Sequence, residues 1–120
     1  MSDDPAAVLR AHVRRFNRAV TSGDFSEMVA GFARHAEMAF EGVHAGPFVG
    51  REAIARAYDT RSPDDEVRLL GMPCVEGQTV ECDYAWANDA ARAGRMILTI
   101  DRGLITRLVV TFERHPAVEG

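Results

Sequence analysis

The stretch Gly46-Pro47-Phe48-Val49-Gly50-Arg51-Glu52-Ala53-Ile54 constrains the fold most, because a Gly/Pro turn there runs straight into a helix whose Ile54 and Tyr58 share one face. It divides the chain into two regimes. Before it, apolar residues recur mainly at helical spacing, whereas after about Thr60 they fall only into strand-length runs. A chain with helices first and consecutive strands after them belongs to the α+β class, with helices laid over a mostly antiparallel sheet.

The first helix is the clearest element. Asp4-Pro5 supplies an N-cap followed by an N1 proline, and Leu9, Val13, Phe16 and Val20 recur at i, i+4, i+7 and i+11 until Gly23. Arg10, Arg14, Arg15 and Arg18 fall mostly outside this stripe, and His12 and His115 read as surface residues. Asp24 and Glu27 have the spacing of a capping box, which predicts a short second helix with Phe25, Met28, Val29 and Phe32 on its buried side. His35 then falls at its C-terminal end as a dipole partner.

A short strand is expected over Glu37 to Glu41, a loop from Gly42 to Gly50, and a third helix from Arg51 to about Thr60. Strands follow at Glu66–Leu70, Thr79–Ala87, Arg95–Asp101 and Leu104–Glu113, separated by Gly, Pro, Asn or Asp clusters. Asp101-Arg102-Gly103 reads as a three-residue hairpin loop pairing Ile100 with Leu104. Met96, Leu98, Ile100, Leu104, Leu108, Val110 and Phe112 then share the core face, leaving Ile97, Ile105 and Val109 among Arg95, Thr99 and Arg107 on the other.

The 120 residues fit one domain, with its core over about residues 5–114 and a loose tail from Pro116. So small a domain leaves much surface exposed, and the apolar residues on the second sheet face predict a homodimer. A net charge of −4 argues against a nucleic-acid surface. All fourteen cations are Arg, which excludes Schiff-base chemistry and a phosphate-binding P-loop lysine. Two cysteines give no disulfide framework, and a start without a basic and apolar leader points to a cytoplasmic protein. No apolar run is long enough to span a membrane.

Arg15-Phe16, Ser22-Gly23-Asp24, Val29-Ala30-Gly31-Phe32-Ala33 and Ala36, resuming at Gly50 to Ile54, resemble ketosteroid isomerase in order and spacing. With the Gly46–Ile54 block, the chain is similar to the nuclear transport factor 2-like (NTF2-like) and SnoaL-like superfamily. The resemblance implies a cone-shaped, cystatin-like domain in which three N-terminal helices and a curved, mostly antiparallel sheet enclose one pocket. It also implies which positions would carry isomerase chemistry. The family's tyrosine falls on Phe16, its aspartate base on Phe40 and its oxyanion-hole acid on Met96. Phenylalanine and methionine can neither take an α-proton nor donate to an enolate, so that mechanism is absent at these positions.

The pocket expected on this basis is lined by Phe16, Phe32, Met38, Phe40, Phe48, Tyr58, Trp86, Met96 and Leu98, with Tyr84 on the same strand face as Trp86. These residues either fill the cone as core or line a cavity for an apolar or aromatic small molecule, and composition does not separate the two. His44, in the Gly-flanked loop, and Tyr84 are the candidate catalytic residues; Cys82 reads as core, and Glu41 and Asp83 fall on the opposite strand parity. The four histidines are too scattered for a metal site, and no phosphate-binding fingerprint or other cofactor motif occurs. Three functions stay open: a binder without chemistry, an isomerase, dehydratase or cyclase using His44 and Tyr84, and a protein-interaction module using the sheet face.

Overall fold

The computed structural model describes residues 4–89 and 91–112. Helix α1 spans Pro5–Ser22, α2 Ser26–Val29 and α3 Arg51–Thr60; the strands are β1 Phe32–Glu41, β2 Phe48–Val49, β3 Val67–Glu76, β4 Thr79–Trp86, β5 Gly94–Asp101 and β6 Leu104–Thr111. The six strands form one curved, unclosed sheet in the order β2-β1-β6-β5-β4-β3, antiparallel throughout except where β1 runs parallel to β6. The strand end expected at Glu113, His115 and the tail from Pro116 lie outside the described residues.

Helix α1 starts and stops as its sequence dictates. The Asp4 side chain accepts from the Ala6 N–H at 3.1 Å, and Gly23 closes the helix in the left-handed conformation with its N–H donating to the Ala19 carbonyl. A reciprocal pair at 2.8 Å ties the helix to the sheet edge: the Asn17 amide donates to the Val67 carbonyl and accepts from the Val67 N–H. Those two backbone groups open β3 and have no ladder partner on their outer side, so Asn17 substitutes for a missing strand.

Four expectations need correction. The second helix is a single turn, and Phe32 opens β1 instead of ending a helix, because Phe32 and Ala36 are four apart and satisfy helix and strand spacing alike. His35 consequently stands exposed on a strand, not at a helix end. Asp24 makes an Asx turn with the N–H and hydroxyl of Ser26, while Glu27 pairs with Arg18, so no capping box forms. β3 runs on to Glu76, since a bulge after Leu70 absorbs Gly71-Met72-Pro73 on an edge strand where proline leaves no ladder bond unmade.

The fourth correction is the β5–β6 register. Arg102 and Gly103, at φ 54° and 81°, make a two-residue turn, so Asp101 pairs with Leu104 and Ile100 with Ile105. Ile105 is therefore in the core and Leu104 is exposed, the reverse of the expected parity. A bulge between Thr99 and Ile100 restores the pattern, so that Leu98 faces Leu108 and Met96 faces Val110 on the core side. The outer face thus lacks Ile105; it carries an ion-paired ladder in which Arg95 meets Glu81 and Asp83, and Arg107 meets Glu37. At the far end of β5, a Cβ on Gly94 would run into the Thr111 backbone, so only glycine fits there.

Candidate functional site

Helix α1 packs on β3, β4 and β5, whereas α3 packs on β1 and β2. Between the two helices, against the core face of the sheet, lies a cavity of about 650 Å³. Strand alternation supplies its floor: Met38 and Phe40 from β1, Leu108, Val110 and Phe112 along and just past β6, Met96 from β5, and Tyr84 and Trp86 from β4. Helix α1 contributes His12 and Phe16, and α3 contributes Ala53, Arg56, Ala57 and Thr60, at i, i+3, i+4 and i+7. Pairing of Met38 with Phe48 holds the preceding loop against the floor, where His44, Ala45 and Phe48 complete the wall. The exposed lining residues His44, Arg56, Thr60 and Arg61 mark the mouth.

Aromatic rings form both walls. On the sheet side Phe40 meets Phe48 and Phe112, and Trp86 stacks on Phe112 with Tyr84 edge-on to both. On the helix side Tyr58 meets Phe16 edge-on and stacks on Phe25 behind it at 5.1 Å. Ring pairs of this geometry hold each other's rotamers, so the walls keep their shape.

Polar groups are few. The Tyr84 hydroxyl donates to the Thr111 carbonyl at 3.0 Å, which commits its proton to the backbone. The Tyr58 hydroxyl lies 3.5 Å from the Met38 sulfur, and burial pushes its pKa up, so it stays protonated. His12 is only 3% exposed and sits edge-on to Phe32 at 5.5 Å. Burial, with a lesser contribution from the Arg15 charge, lowers its pKa to about 4, so the imidazole is neutral at ordinary pH. Its ring nitrogens make no hydrogen bond to any described residue. A neutral imidazole has one donor and one acceptor, and both are available to a molecule in the cavity.

Nine of the eleven sequence-derived candidates come together here: Phe16, Met38, Phe40, His44, Phe48, Tyr58, Tyr84, Trp86 and Met96 line the cavity. Phe32 and Leu98 do not. Both are fully buried behind it, Phe32 beside Ile105 and Leu98 opposite Leu108, where neighbours fill the space. His12 corrects the expectation of a surface residue. Its position, three residues after Leu9 and four before Phe16, was the available signal. Cys82 is buried, with its thiol pKa raised by that burial and its sulfur 3.5 Å from the Leu70 carbonyl, so it is core and not a nucleophile. Among the described residues, no group of three or more His, Cys, Asp or Glu is placed to hold a metal ion, and no helix is long and apolar enough to cross a membrane.

No family model and no curated protein matches the sequence. Solved structures match the fold. A protein of unknown function with a cystatin-like fold from Methylobium petroleophilum superposes with a TM-score of 0.67 at 19% identity, covering 92% of this chain and 78% of that one. An NTF2-like protein of unknown function from Burkholderia xenovorans gives 0.64 at 13% identity, covering 94% and 91%. The fold is NTF2-like. A computationally designed 17-OHP binder shares it as well, at 0.65 and 17% identity over 91% of each chain. Within this NTF2-like frame, Phe16, Phe40 and Met96, the positions where the isomerase resemblance places its catalytic groups, reach one cavity, and among the described residues no Asp or Glu lines it.

Proposed function

We propose that this protein binds an apolar or aromatic small molecule in the cavity between α1, α3 and the sheet. The observation that carries the reading is the unpartnered neutral His12 imidazole, buried in the wall of an aromatic cavity of about 650 Å³. That volume lies within the roughly 300–1,000 Å³ typical of sites for small organic ligands, which are mainly apolar with a few placed polar groups. An unfilled donor and acceptor in an apolar wall favour a ligand with a hydroxyl or carbonyl, since the imidazole has no protein partner to satisfy it. The designed 17-OHP binder on the same fold supports the view that such a frame can enclose a ligand of this kind.

Binding is favoured over catalysis because the groups that would move protons are poorly supplied. Among the described residues no carboxylate lines the cavity, and the Tyr84 proton is already given to the Thr111 carbonyl. The test is a fluorescence titration with the neutral probe N-phenyl-1-naphthylamine. Wild-type protein should bind it saturably at micromolar concentration, and Ala57→Phe, which fills the cavity from α3, should weaken binding at least about tenfold while the melting temperature is retained. Absence of saturable binding by the wild type would overturn the proposal, as would unchanged binding by a folded Ala57→Phe protein.

A further inference from the structure

We infer that the ligand is amphipathic, an apolar body ending in an oxyanion head such as a carboxylate, and that Arg56 and Arg61 hold that head at the cavity mouth. This rests on the binding reading above and names the class of molecule. Three observations carry it. Arg56 and Arg61 both line the cavity and are exposed at its mouth, and their guanidinium groups make no hydrogen bond or ion pair with any described residue. Among the described residues no carboxylate lines the cavity, although Asp59 and Asp64 are close in sequence to both arginines. The remaining polar residues of the mouth, His44 and Thr60, carry no negative charge either.

Arginines without a carboxylate partner also occur elsewhere, Arg10, Arg14 and Arg102 among them, and what distinguishes Arg56 and Arg61 is that they rim an apolar cavity. The protein has a net charge of −4, and Arg18, Arg92, Arg95 and Arg107 all meet carboxylates. At the mouth the cations stand without them. The positive region also continues outward, because Arg56 borders a second depression with Arg34, His35 and Arg51, where Glu52 is the one acid among the described residues. A cavity with an apolar interior and a cationic rim sorts its ligands by polarity: the body displaces water from the rings while the head stays at the surface, where a guanidinium fork matches a carboxylate.

The test compares two probes with one body. N-phenyl-1-naphthylamine is neutral, and 8-anilino-1-naphthalenesulfonate adds an anionic head to the same rings. In the double variant Arg56→Gln/Arg61→Gln, the sulfonate should bind about three- to thirtyfold more weakly than in wild type, the range expected for two exposed ion pairs, while the neutral probe changes by less than about twofold. Raising salt from about 0.05 to about 0.5 M should weaken the sulfonate on wild type and have little effect on the double variant. Ala57→Phe should weaken both probes.

If the neutral probe binds but the double variant leaves the sulfonate unchanged, the anionic-head inference fails and the binding reading stands. The inference fails in the same way if the sulfonate still binds Ala57→Phe at full strength, since it then sits on surface arginines. If neither probe binds wild type, the binding reading falls and this inference with it.

Discussion

Ile100 and Ile105 at the turn end of the β5–β6 hairpin face the same side of the sheet as Met96 and Val110 at its open end, yet the first pair is packed solid and the second borders a hole. All four are apolar and on the same strands. What differs is what surrounds each pair. At the turn end β1 begins alongside, with Phe32 paired to Ile105 and the Ile105 N–H donating to the Gly31 carbonyl at 3.0 Å. At the open end Ala53 and Ala57 of α3 line the same cavity from its helix side, and their methyl groups leave the gap that larger residues would close. Strand parity decides which face a residue joins, and the facing helix decides whether that face is filled.

The largest test of this contrast removes one ring at each end. Phe32→Ala takes a fully buried side chain from the packed end and should cost about 3–5 kcal/mol in chemical denaturation. Phe40→Ala removes an equal volume from a half-buried ring that already borders empty space, so less contact is lost, and about 1–2 kcal/mol is expected. Equal losses would mean that the open end is packed as tightly as the other, and the contrast would collapse.

His12 gives a second handle, because it belongs to the open end alone. Its folded pKa lies near 4 and its ordinary value is 6.5, so the unfolded chain takes up this proton first as pH falls. The neutral imidazole's contribution is therefore complete above about pH 6.5, declines below it, and is gone by about pH 4. A shift of that size corresponds to roughly 3 kcal/mol across the window. His12→Leu should remove this part of the acid slope, which paired denaturation curves at pH 7.5 and pH 4.5 would read directly. A variant with the wild-type slope would place His12 in water, not in the cavity wall.

The two ends were also unequally legible. Alternation along β4 placed Val80, Cys82, Tyr84 and Trp86 on one strand face, which the family resemblance made the concave one, and Asp4-Pro5 and Gly23 marked both ends of α1. His12 escaped because the apolar stripe was traced by residue type, whereas burial follows angle: position 12 lies between Leu9 and Phe16 on the same helix face. Ile105 was misplaced because a two-residue turn and a three-residue one differ by a single register step, and that step exchanges faces. The hole itself left no local trace. Whether Met96 and Val110 meet atoms or space depends on α3, about forty residues earlier, so no window along β5 or β6 contains the answer.

The smallest effect should come from His44, at the outermost edge of the open end. Its side chain is exposed in the loop between β1 and β2 and has no hydrogen bond or ion pair among the described residues, so His44→Ala should change stability by less than about 0.5 kcal/mol. Binding is a separate readout. His44 lines the mouth without entering the aromatic interior, so the substitution should leave the neutral probe's affinity within about twofold, unlike a change at Ala57. A melting temperature lowered by several degrees would show that the 42–47 loop folds onto the cavity and closes it. The open end would then owe its vacancy to a loop position, not to the alanines of α3.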